Sequence, residues 1–208
     1  MGGKDDESFL EKAYQATDPD ETKPLYDTWA DTYDEELADA GYAQPERCAK
    51  ALKTLMPRDG RILDIGCGTG LSGLALKQAG YSQIDGCDFS PGMLEKAADL
   101  NVYGRLFEAD LNKPPLDVED ATYDAITAVG VFSMLHIDVS ALDEFLRAVK
   151  PKAPIVIGLN DKYYQMGHLT AKLDALSALG RLSQLGHEHG EHLPGTGMTG
   201  WVIKLRKA

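Results

Sequence analysis

The rhythm of apolar positions changes near residue 60. Up to about residue 57 the apolar residues recur at helical spacing, which predicts a helical N-terminal region. Thr22 and Pro24 open one helix there, since proline suits a first turn, and the pattern carries it through Leu37. Tyr26, Trp29, Tyr33 and Leu37 fall on one face of that helix, with Asp27, Asp31, Asp34 and Glu35 mostly elsewhere.

From residue 61 short apolar runs alternate with amphipathic stretches. The runs Arg61–Ile65, Gln83–Asp88, Arg105–Ala109, Tyr123–Val129 and Pro154–Leu159 read as strands, with Gln184–His192 and Trp201–Leu205 as two more. Helices are predicted at Leu71–Gln78, after Ser90-Pro91, at Ser140–Val149 with Asp143 at capping-box distance from Ser140, and at Leu169–Leu179. Strands and helices taking turns imply an α/β fold: a doubly wound, mostly parallel seven-stranded sheet with helices on both faces. The last two strands flank the glycine-rich stretch Pro194–Gly200, so they form a hairpin and make that edge antiparallel. One domain is expected over residues 1–208, a helical lid region (1–57) followed by the sheet (58–208).

Charge and cysteine use narrow the setting. The net charge is −12, and residues 1–40 hold 13 acids against 3 lysines. Phosphate backbones are bound by clustered Lys and Arg, so this balance argues against a nucleic-acid partner. No apolar run approaches a membrane span, the first residues are acidic rather than signal-like, and a cytoplasmic protein without a membrane partner is expected. Cys48, Cys67 and Cys87 form no C-x-x-C pair, which points away from a disulfide framework or a zinc site.

The chemistry begins at Leu63-Asp64-Ile65-Gly66-Cys67-Gly68-Thr69-Gly70, where the first strand hands over to a helix. Glycines there let the backbone turn tightly and approach a ligand with a helix N-terminus behind it. Gly68 to Gly73 is also a literal G-x-G-x-x-G with Asp88 downstream, so a dinucleotide-binding oxidoreductase is the alternative. Asp64, an acid just before the first glycine, favours a cationic, amino-acid-bearing ligand over a pyrophosphate. The fingerprint also follows some 60 residues of helix, whereas dehydrogenases often open with it.

On the glycine loop together with Gly86-Cys87-Asp88-Phe89-Ser90, the chain resembles class I S-adenosylmethionine-dependent methyltransferases from Pro24 to its C-terminus. The resemblance implies that Asp64, Gly66, Gly68 and Gly70 lie against the methionine part of that cofactor. It implies that Asp88 binds both ribose hydroxyls, next to Phe89, and that Met93 packs near the adenine. Glu108-Ala109-Asp110-Leu111 matches the third station, with Asp110 taking the adenine amino group, and Tyr123–Val129 resembles the fourth. Tyr26–Asp34 resembles the aromatic segment that precedes the glycine loop in small-molecule members, implying a lid in which Tyr26, Trp29 and Tyr33 face the cofactor. With Ile157–Asp161 added, the chain is similar to the methyltransferase-like proteins named after the Williams-Beuren region.

Methyl transfer from a sulfonium is an in-line displacement, so alignment in a water-poor site supplies much of the catalysis. A general base is needed only when the acceptor must lose a proton; the candidates are His136 and Asp161, at the carboxyl edge of the sheet. The segment His187–His192 places two histidines on one strand face with Glu191, but lacks a familiar metal spacing and reads as an exposed polar strand, with no metal expected. Val129–Phe132 stands where nucleic-acid amine methyltransferases carry Asn-Pro-Pro-Tyr, which leaves a small molecule or a protein side chain as acceptor. A cofactor-binding fold without catalysis also stays open.

Overall fold

The computed structural model describes residues 33–132 and 137–208, and of Tyr33 and Asp34 the backbone alone. The expected sites Tyr26, Trp29 and His136, and the Tyr33 side chain, lie outside the described residues. Helices α1 (Tyr33–Asp39) and α2 (Gln44–Lys53) come first, and Tyr33–Asp39 runs two residues past the expected end at Leu37.

Seven strands then form one sheet: β1 (Ile62–Ile65), β2 (Ile84–Asp88), β3 (Arg105–Glu108), β4 (Ala125–Val129), β5 (Pro154–Asn160), β6 (Leu182–Leu193) and β7 (Met198–Lys207). Their order is β3-β2-β1-β4-β5-β7-β6. β1, β2, β4 and β5 are buried along nearly their whole length, as strands covered on both faces must be. The first five strands run parallel. β7 runs antiparallel to both neighbours and lies inside the sheet; the edge strand itself, β6, therefore points the same way as β5.

Between the strands come α3 (Leu71–Gln78), α4 (Pro91–Asp99), α5 (Ala141–Ala148), α6 (Asp161–Gln165) and α7 (His168–Ala178). Side chains alternate along each strand and split the core in two. Leu63, Ile65, Ile126 and Ile203 meet Phe145 of α5 and Leu169 and Leu173 of α7; Ile62, Ile84, Ala125 and Val156 meet Leu52 of α2 and Leu76 of α3.

Two local expectations change. Ser140 has helical backbone angles and no capping hydrogen bond. Asp138 takes the backbone N–H of Ser140 at 2.8 Å, while Asp143 pairs with Lys172 (2.7 Å) and Arg181 (2.5 Å), fastening α5 to the α7 side. Asp85, expected at the surface, is 5% exposed: Arg61 reaches it at 2.6 Å and the Tyr123 hydroxyl at 3.0 Å. A charge buried on a parallel strand needs such partners.

Candidate functional site

The loop after β1 adopts left-handed backbone three times, at Gly66 (φ +64°), Gly68 (φ +53°) and Gly70 (φ +98°). Glycine reaches these angles without the Cβ strain other residues meet. A Cβ at Gly66 would strike Val131 and one at Gly70 would strike Leu100, whereas one at Gly68 would meet nothing within 4 Å. Gly68 thus turns a bare backbone toward open space.

Asp88, at the carboxyl end of β2, reaches that same glycine. Its Oδ2 accepts the Gly68 N–H at 2.9 Å and its Oδ1 the Ser90 N–H at 3.0 Å. A carboxylate only accepts, and this grip fixes both of its oxygens at the mouth of the glycine loop. Next to it Ser90 caps α4, its hydroxyl taking the Met93 N–H at 3.1 Å, and Met93 is buried. Phe89 is half-buried beside them.

Asp64 has a different place. It is fully buried, with Ser72 donating at 2.5 Å and Tyr103 at 2.9 Å to one oxygen and Thr127 at 2.8 Å to the other. Its carboxylate thus braces the loop from within. Burial pushes its carboxyl up to about 6, against the pull of those three hydroxyls and with the nearby Asp88 charge adding to the rise.

Tyr103 was not flagged by the sequence pattern, and it organises this corner. Its hydroxyl donates to Asp64 and accepts the Gly73 N–H at 3.1 Å. A Cβ at Gly73 would sit 2.3 Å from the ring hydroxyl, and one at Gly86 2.9 Å from the ring. The third glycine of the dinucleotide-like pattern therefore has a packing cause. Glycines on α3 and β2, both facing one aromatic, were the only available signal.

At the third station, Asp110 is half-buried, with Oδ1 on the Asn112 N–H at 3.0 Å and an ion pair to Lys113 at 2.8 Å, and Leu111 is core. Val129 ends β4 half-buried. Past it, Tyr42 brings its hydroxyl to within 2.9 Å of where a Gly130 Cβ would be, so the turn between α1 and α2 closes over the sheet's carboxyl edge. Leu37 and Ala40 pack with Leu193 to hold it there. Arg47 of α2 fastens the same region, donating to the carbonyls of Glu191 (2.7 Å), Glu188 (2.8 Å) and Gly200 (3.2 Å).

Asp161 follows β5 directly. It accepts from Thr199 and from His189 Nε2, the latter at 3.0 Å. Burial alone would raise its carboxyl, but hydrogen bonds from Thr199 and His189 win and hold it below the usual range. His187 and His189 share a strand face as expected; His187 bonds Tyr164 and Gln184, both at 2.9 Å. Among the described residues no three His, Cys, Asp or Glu are placed to hold a metal ion, and no helix is long and apolar enough to cross a membrane.

Comparison with known proteins follows the same geometry. A family described as "Methyltransferase domain" matches residues 62–152. The human protein "Methyltransferase-like protein 27" is 34% identical over 162 residues, 75% of this chain and 66% of that protein. The 18S rRNA (guanine-N(7))-methyltransferase of Bos taurus is 36% identical over 74 residues, 36% of this chain and 26% of the relative. The chain thus spans under two thirds of the curated relatives' lengths. A TehB-like SAM-dependent methyltransferase from Corynebacterium glutamicum superposes with a TM-score of 0.65 at 23% identity, over 89% of this chain and 100% of that one. A chain from the complex between the Haloferax volcanii Trm112 methyltransferase activator and a methyltransferase gives 0.66 at 18% identity, over 88% and 97%.

Proposed function

Because the chain belongs to the class I S-adenosylmethionine-dependent methyltransferases, we propose that it transfers the methyl group of that cofactor to a small-molecule acceptor in the cytoplasm. The observation that carries this reading is the Gly68–Asp88 contact at the open end of the sheet. The cofactor brings a methyl group on a sulfonium, a ribose diol and an adenine. The Asp88 carboxylate, at the end of β2 beside the glycine loop, would accept the ribose hydroxyls as charge-assisted bonds. Gly68 would let the methionine part approach the backbone, with Gly66 and Gly70 shaping the loop and Asp64 bracing it from below. Met93, Phe89 and Leu111 would line the adenine, Asp110 would accept its amino group, and Val129 would lie at the end of β4 beside the cofactor.

A small-molecule acceptor fits the net charge of −12, which opposes a polyanion. Three buried free thiols fit a reducing compartment. The named rRNA relatives share only about a third of this chain and make RNA the acceptor to test against. Methyl-labelled cofactor incubated with pooled metabolites, peptides and ribosomal RNA tests the reading. Label in the small-molecule fraction is expected; label confined to RNA or protein would overturn the acceptor class, and no label with bound cofactor would favour a non-catalytic fold.

A further inference from the structure

We infer that His189 is the general base of this site, taking a proton from a hydroxyl or thiol acceptor, with Asp161 as the residue that positions its ring. The inference rests on the methyl-transfer reading and deepens it.

Three elements build the dyad. β5 ends at Asn160, which lies opposite Gly200 of β7 and whose side chain takes the Tyr163 N–H at 2.8 Å, fixing where α6 starts. Asp161 is therefore delivered to the carboxyl edge, one strand from β4, where Gly130 N–H meets Gly158 O at 2.8 Å. From there its Oδ2 engages both Thr199 of β7 and His189 of β6. An ionised carboxylate only accepts, so the His189 nitrogen facing it is Nε2–H, and Nδ1 carries the lone pair. Trp201 packs against the ring at 4.8 Å between centroids and is itself stacked on Tyr164 at 4.2 Å, which limits tilting.

The neighbouring histidines lack this arrangement. Both nitrogens of His187 are engaged by Tyr164 and Gln184. His192 is 3% exposed with Nδ1 sealed in. His189 keeps 47% of its side chain exposed, and among the described residues its Nδ1 has no partner. The charged and titratable groups around it are Asp161 and Tyr164 of α6, His187 and Glu191 on the same face of its own strand and Asp174 of α7 behind Gln184. Glu188, Lys204 and Arg47 occupy the opposite side of the hairpin.

In the step itself, the acceptor's lone pair forms the bond to the methyl carbon and the carbon–sulfur pair stays on sulfur as a thioether. The acceptor's proton passes to Nδ1 of His189, and Asp161 stabilises the resulting imidazolium before water removes that proton.

Imidazole nitrogen NMR on the full chain tests this without a known acceptor. Spectra at one pH would be recorded with S-adenosylhomocysteine and with S-adenosylmethionine, which differ by the sulfonium charge. The His189 ring resonances are expected to differ between the two complexes, while those of exposed His168 coincide. Asp161→Asn is expected to turn the single Nε2–H signature into a tautomer mixture, and Asp161→Glu to restore it. Identical His189 ring resonances in the two complexes would overturn the base assignment, and an unchanged tautomer in Asp161→Asn would overturn the positioning role. Absence of any spectral change on adding either nucleoside would instead count against the methyltransferase reading.

Discussion

Asp64 and Asp88 are 24 residues apart in sequence and share one loop, yet their surroundings give them opposite tasks. Asp88 is held by backbone N–H groups at the open edge, while Asp64 is sealed among hydroxyls. Replacing Asp88 by Ala is expected to weaken S-adenosylmethionine binding by about 1.5–3 kcal/mol, read by calorimetry, the cost of a charge-assisted bond. Tyr103→Phe removes the hydroxyl that joins Asp64 to Gly73 N–H and is expected to cost about 1–3 kcal/mol in denaturant unfolding. Asp64 also gives the protein a pH signature. Its folded pKa, about 6, lies above its unfolded value of 3.8, so its contribution is fully present below pH 3.8 and is lost as pH rises through about 6. The stability gap between wild type and Asp64→Asn is therefore expected to widen on acidification, by on the order of 3 kcal/mol across that window. A gap that stays constant in urea titrations would contradict the buried-acid account. Sequence reading found both acids but placed Asp64 against the ligand. Burial cannot be read from a residue type, and the Ser72, Tyr103 and Thr127 hydroxyls that enclose it come from three separate elements.

Among the elements, those with a strong local rhythm were legible and those defined by pairing were not. All seven strands and the helices from α3 to α5 follow from apolar spacing, and α7 shows its expected register of Leu169, Leu173 and Leu176. The five-residue α6 is too short for any periodicity, although it delivers Asp161 and Tyr164. The hairpin was legible, but the insertion of β7 between β5 and β6 was not, because strand order depends on contacts made across the chain. Gly200 opposite Asn160 and the Arg47 bonds now explain why the hairpin sits firmly on that side. Arg47→Ala is expected to destabilise the protein by roughly 2–3 kcal/mol, since it strips a charged donor from three carbonyls. Loss of protection at Glu188–Gly200 in hydrogen exchange would locate the effect in the hairpin.

Across the whole molecule, the carboxyl edge of the sheet gathers everything the proposed reaction uses. The glycine loop and Asp88 lie on one side of β4, the Asp161–His189 pair on the other, and Tyr42 reaches over the middle. The net charge of −12 suits a cationic cofactor rather than a polyanion. That order of stations was legible because parallel strands place their ends, and so their acids, along one edge. The acceptor was not legible, since no motif of the sequence names its chemistry. The central claim is that the Gly68–Asp88 corner takes S-adenosylmethionine, and thermal unfolding with S-adenosylmethionine, S-adenosylhomocysteine, NADH and NADPH tests it most directly. The two sulfur nucleosides are each expected to stabilise the protein by about 2.7 kcal/mol at one hundred times their dissociation constant, the nicotinamide cofactors leaving it unchanged. Stabilisation by NADH or NADPH alone would contradict the assignment and return the glycine loop to a dinucleotide.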